Sequence, residues 1–142
     1  AIASGICSGL GYQMNTRSAL ITRGLAEIAR IGRAMGCKDD RTFAGLSGVG
    51  DLFLTCTSEK SRNFTVGYRM GKYGESLQEV IDHLGSVAEG VPTTKAAFEL
   101  CNKLQVSSPI IETVHAILYE NKPIPAAVTD LLRVEMQAEF TY

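Results

Sequence analysis

Two short runs hold the residue types from which a small-molecule site could be built. Gly50-Asp51 closes a glycine-rich stretch, Gly45-Leu46-Ser47-Gly48-Val49-Gly50, and Ser61-Arg62-Asn63 begins ten positions after Asp51. A glycine-rich turn lets the backbone approach a ligand closely, and a carboxylate held there accepts hydrogen bonds from a polyol or orients a neighbouring cation. Ser61-Arg62-Asn63 precedes the helical pattern of Phe64 to Met70, which puts an arginine and two polar side chains at a helix N-terminus. Free amides and the positive end of the helix dipole favour phosphate there, and a guanidinium adds a two-pronged donor. Spacing alone leaves a simpler reading open, with Ser61 or Asn63 as an N-cap and Arg62 as a solvated charge.

Other polar groups have ordinary explanations. Gly48-Val49-Gly50 imitates the opening of a dinucleotide fingerprint, but Phe53 stands where the third glycine belongs, no strand precedes it, and Gly5, Gly9 and Gly11 are wrongly spaced. The chain therefore carries no nucleotide-binding loop of that type. Glu89-Gly90 falls at a turn between helices, where an exposed carboxylate usually has no task. Asn15-Thr16-Arg17 starts a long helix and is explained by capping, His115 sits among Val114, Ala116 and Ile117 as a packed helix residue, and Lys60 reads as a surface lysine. Cys7, Cys37, Cys56 and Cys101 are widely separated, so they read as reduced thiols; with His83 and His115 the only histidines, no metal site is expected.

The elements that must position these groups are helical by their apolar spacing. Leu20, Ile21, Leu25, Ile28, Ile31 and Met35 recur at three- or four-residue intervals, with arginines on the complementary faces and Gly36 as the stop. Gly24 and Gly32 inside this helix suggest close approach of another backbone. Asp39 and Asp40 are N-cap candidates for a short helix through Phe43, and Ser76 with Glu79 has capping-box spacing ahead of Val80, Ile81 and Leu84. Pro92 suits the first turn of a helix to about Lys103, and Ser108-Pro109 repeats that signal before Ile110. Pro123 and Pro125 end that segment, Ala126 to Arg133 makes a last helix, and 135–142 is expected to be a loose tail. No alternating run is flanked by hairpin turns, so the expectation is an all-α domain of roughly seven helices.

The 142 residues carry 14 basic and 15 acidic side chains, a formal charge of −1, which excludes a strongly basic nucleic-acid binder. Apolar stretches are interrupted well short of the ~18 residues a bilayer needs, so no transmembrane segment is expected. The first ten residues lack a basic leader, and the chain opens inside an apolar run, which suggests a cytoplasmic domain from something longer.

Taken in order, Asn15 to Glu27, Gly48 to Leu52, Thr55-Cys56-Thr57, Ser61-Arg62-Asn63 and Val87 to Gly90 resemble the C-terminal domain of bacterial-type NAD(P)-dependent glycerol-3-phosphate dehydrogenase, from Ala1 to about Arg133. The resemblance implies the 6-phosphogluconate dehydrogenase-like helical fold, with one long N-terminal helix and several shorter ones. It implies an enzyme that interconverts dihydroxyacetone phosphate and sn-glycerol 3-phosphate, supplying glycerophospholipid synthesis. NAD or NADP would be bound mainly by an N-terminal Rossmann domain that these residues do not contain. By position, Asp51 would be the active-site aspartate that touches substrate and places the catalytic lysine, with Thr55 beside it. Ser61, Arg62 and Asn63 would grip the phosphate, and Arg62, Val87 and Glu89 would meet the cofactor. The family's lysine falls four residues before Ala1, so residues 1–142 alone are expected to be inactive as a dehydrogenase. This reading requires Asp51 and Arg62 to face one cleft. It also expects an apolar surface, including parts of Ala1 to Leu10, to face the Rossmann partner, and leaves oligomeric state open, a homodimer included. The alternatives are an independent helical interaction module, or the helical half of another hydroxyacid or sugar-nucleotide dehydrogenase.

Overall fold

The opening run, with no charged residue and only Ser4 and Ser8 polar, forms a helix that is buried over most of its surface. In the computed structural model, which describes residues 1–138 and their side chains as far as Arg133, this helix is α1 (Ile2–Gly9), with Ile2, Ser4, Gly5, Ile6, Cys7 and Gly9 buried. It lies against α5 (Arg62–Tyr73) along a seam of glycines, Gly5 and Gly9 facing Gly67 and Gly71. A Cβ at Gly71 would stand 2.6 Å from the Ile6 carbonyl oxygen, one at Gly9 2.7 Å from the Lys72 amide, and those at Gly5 and Gly67 would overlap backbone oxygens outright. Only the absence of side chains lets the two backbones touch, which is the general use of small residues spaced four apart. Most of α1 is thereby buried within these residues, because its glycines are matched by those of α5, while Ala1, Ala3, Ser8 and Leu10 remain half-buried.

Around this pair run α2 (Met14–Ala34), α3 (Arg41–Ala44), a wide π-type turn (Leu46–Gly50), α4 (Asp51–Thr57), α6 (Leu77–Leu84), α7 (Gly90–Leu104), α8 (Pro109–Tyr119) and α9 (Ile124–Ala138). Among the described residues every regular element is helical, so the all-α expectation holds; all seven expected helices appear, and α1 and α4 are added to them. The long helix is thus second in the chain. Ile2, Ile6, Leu20, Val66, Met70 and Val80 join Val114, Ile117, Ala127, Val128 and Leu131 in one apolar core.

Several starts and stops follow local chemistry. Ser76 accepts from the Glu79 amide while Glu79 accepts from the Ser76 amide, a complete capping box. Gly36 takes φ +98°, the left-handed conformation that ends α2. Pro125, expected to stop the previous segment, lies instead in the first turn of α9, where its missing N–H leaves no bond unmade. The backbone of 135–138 continues α9, whereas 139–142, the rest of the expected tail, lie outside the described residues.

Glu27 is the last buried residue of α2 and caps a different helix: its carboxylate accepts from the amides of Ile110 (3.1 Å) and Ile111 (3.0 Å) at the start of α8. Burial pushes its carboxyl above the ordinary range, and the two amides pull partly against that rise. Beyond Glu27 no residue is buried until Cys56. The expected backbone approach at Gly24 and Gly32 is not found: Gly24 meets only the tip of Ile110 at 4.0 Å, and Gly32 receives the Phe43 ring. Cys7, Cys56 and Cys101 are buried, and Cys37 is half-buried. No helix of the described residues is long and apolar enough to cross a membrane.

Candidate functional site

The run that began the sequence argument starts a helix. Ser61 is the N-cap of α5, its hydroxyl accepting from the Phe64 amide at 3.3 Å. That leaves the first-turn amides of Arg62 and Asn63 as donors for solvent or a ligand, at the positive end of a twelve-residue helix. Arg62 is exposed, and its Nη1 donates to Ser86 Oγ at 3.3 Å. Asn63 Oδ1 accepts from the Gly90 amide at 2.8 Å and so caps the start of α7. These two bonds bring the α5 N-terminus beside the loop that carries Val87, 48% exposed, and Glu89, also exposed. Glu89 occupies the N-cap position of α7 without a side-chain bond to it. Arg62, Asn63, Val87 and Glu89, separated by more than twenty positions in the chain, thus form one neighbourhood.

Asp51 is the first residue of α4 and is exposed, a favourable place for a carboxylate at a helix N-terminus. Thr55, one turn on, turns its hydroxyl inward to its own helix and donates to the Asp51 carbonyl at 2.9 Å. The glycine-rich stretch before Asp51 folds on itself: Gly48 lies against the backbone of Phe43, so this turn is packed by its own chain.

Helix α1 touches both α4 and α5, the helices that carry the two groups. On one side of its first residue a cleft of about 170 Å³ is lined by Ala1, Ser4, Leu52 and Cys56, with Glu27 at its edge. On the other side a shallower cleft of about 180 Å³ is lined by Ala1, Asn63, Gly90, Thr94 and Ile110. Neither space is the expected common cleft: Leu52 and Cys56 of α4 line the first, Asn63 lines the second, and Asp51 and Arg62 line neither of the two.

One polar group was passed over by the sequence reading. Capping does not explain Asn15-Thr16-Arg17, because α2 begins at Met14 with Gln13 as a cap position that makes no side-chain bond. Arg17 instead reaches inward, Nη2 donating to the Cys56 carbonyl at 3.1 Å and Nε approaching Ser4 Oγ at 3.5 Å. Its guanidinium also lies over the Phe64 ring, 5.3 Å from the centroid. The only sequence signal was an arginine on the same side of α2 as Leu20 and Ile21. His115 is the packed helix residue expected, stacked on Phe98 with 3.9 Å between ring centroids.

The pattern of the family described as NAD-dependent glycerol-3-phosphate dehydrogenase C-terminus matches residues 1–129. Glycerol-3-phosphate dehydrogenase [NAD(P)+] of Limosilactobacillus reuteri is 52% identical over 139 residues, covering 98% of this chain and 40% of that protein. The protein of the same description from Prosthecochloris aestuarii is also 52% identical, over 98% of this chain and 41% of its own length. Among solved structures, glycerol-3-phosphate dehydrogenase from Coxiella burnetii superposes with a TM-score of 0.88 at 40% identity, covering 92% of this chain and 40% of that one. The Saccharomyces cerevisiae glycerol-3-phosphate dehydrogenase gives 0.83 at 29% identity, over 92% of this chain and 38% of that one. The chain spans about two fifths of the length of the curated relatives it matches.

Proposed function

The chain belongs to the family of NAD-dependent glycerol-3-phosphate dehydrogenase C-terminal domains, and from that premise we propose that it is the substrate-binding half of an oxidoreductase interconverting dihydroxyacetone phosphate and sn-glycerol 3-phosphate. The observation that carries this reading is the start of α5, where the exposed Arg62 fork and two first-turn amides stand together beside the Ser86–Glu89 loop. That is a chemistry suited to a phosphate dianion.

In this reading Arg62 is the principal charge partner of the substrate phosphate, with Ser61 and Asn63 completing the grip. Asn63 does this from a fixed position, since its carboxamide oxygen is already committed to Gly90. The phosphate is remote from the reacting carbon, so its binding energy serves to hold the ketone in register. Asp51 accepts from the substrate hydroxyl and orients the lysine that this family places four positions before Ala1, whose ammonium gives its proton to the developing alkoxide. Thr55 supports Asp51 one helical turn away. Val87, Glu89 and Arg62 would hold NAD or NADP from this side, and a Rossmann partner domain would supply the rest of its site. The reduced nicotinamide, when bound, supplies the hydride.

Steady-state kinetics of the full-length protein test this. Arg62→Ala removes a charged hydrogen bond worth ~1.5–3 kcal/mol, so KM for dihydroxyacetone phosphate should rise about ten- to a hundredfold. Asp51→Asn should lower kcat with the fold intact. An unchanged KM in the first variant excludes the phosphate role, and unaltered turnover in the second removes Asp51 from the reaction.

A further inference from the structure

We propose that Arg17 is a positioning residue for this reaction: by clamping the last turn of α4 to the first turn of α5, it sets the spacing between Asp51 and Thr55 on one helix and Arg62 and Asn63 on the other. The proposal rests on the functional reading above.

The need for such a clamp comes from the shape of the segment. Asp51 and Arg62 stand at the starts of two helices joined by the short turn 58–61, and α4 is only seven residues long. Among its residues only Cys56 is buried, so packing alone holds α4 weakly. Its last-turn carbonyls have no partner within the helix. The Cys56 carbonyl is met from two elements at once, by the buried Ser4 hydroxyl of α1 at 2.7 Å and by Arg17 of α2 at 3.1 Å. A guanidinium at that end also opposes the negative pole of α4.

The same guanidinium covers Phe64, which lies in the first turn of α5 next to Asn63 and is itself buried. One planar cation therefore touches both helices that bear the proposed substrate groups, and the helix α1 between them. A lysine could keep the charge but not the simultaneous carbonyl bond and ring contact, because its ammonium is a point donor without a face. Arg17 has no direct part in this reading of the chemistry: it acts through the placement of α4 and α5.

The test uses the full-length protein with Arg17→Lys and, separately, Ser4→Ala, each measured in two ways. In steady-state reduction of dihydroxyacetone phosphate, Arg17→Lys should lower kcat/KM for that substrate tenfold or more while KM for the nicotinamide stays within twofold. In amide hydrogen exchange, residues 51–57 should exchange at least tenfold faster, with 77–84 in α6 unchanged. Ser4→Ala should shift both in the same direction and by less. An unchanged kcat/KM overturns the proposal, as does faster exchange spread equally over α4 and α6, which would mark a general loss of stability. If Arg17→Lys fails to fold, Ser4→Ala decides on the same two readouts. A wild-type protein that does not turn over dihydroxyacetone phosphate overturns the functional reading instead, and the exchange pattern then judges the clamp by itself.

Discussion

The α1–α5 seam and the lobe from Ile28 to Thr55 are built from similar apolar residues and behave oppositely. In the seam, glycines on both helices bring backbone against backbone, and six of the eight residues of α1 are buried. In the lobe, Leu46 is 91% exposed, Leu54 62% and Phe53 56%, and no residue is buried. Apolar composition alone does not decide which region becomes core. Complementary shape decides it: the seam has a matching surface within these residues, and the lobe, with a π-type turn and two short helices, has none.

Substitutions along this contrast should differ in size and in sign. The largest effect belongs to Gly67→Ala, whose new methyl group would overlap the Ile2 carbonyl; the unfolding free energy should fall by about 3 kcal/mol or more, read by denaturant titration. Glu27→Ala, at the border between the two regions, strips two amides at the start of α8 of their acceptor and should cost ~1–3 kcal/mol in the same measurement. Gly24→Ala lies in a helix interior with ordinary space around it, so the domain should gain ~0.5–1 kcal/mol. Leu46→Ser, in the open lobe, should leave stability within about 0.5 kcal/mol of wild type. If Gly67→Ala were harmless, or Leu46→Ser costly, the division into a closed seam and an open lobe would be wrong.

The same division explains which parts could be read from the sequence. Helices α2, α6, α7 and α8 carry polar faces, so their period is visible in the residues themselves, and the start of α6 is visible as well in its Ser76–Glu79 capping box. Helix α1 has no polar face to reveal a period, and its Gly5 and Gly9 lower its helical tendency; its structure depends on glycines some sixty positions away. Helix α4 reads as an apolar fragment followed by a polar stretch, because Leu52, Phe53 and Leu54 are not arranged to bury one face. At the site, Ser61-Arg62-Asn63 is legible as a helix start since capping is local chemistry. What that start faces is set by Ser86 and Gly90, and Arg17 was hidden behind an adequate local explanation. Long-range partners of this kind leave no trace in spacing.

One consequence of the uneven burial is practical. Three of the four thiols are sealed inside, while Cys37 sits half-open just past the end of α2, within the open lobe. A maleimide dye added to the native protein would attach there and leave the interior untouched. Its emission would then report on the surroundings of that lobe, and its quenching would register anything that settles on those bare leucines.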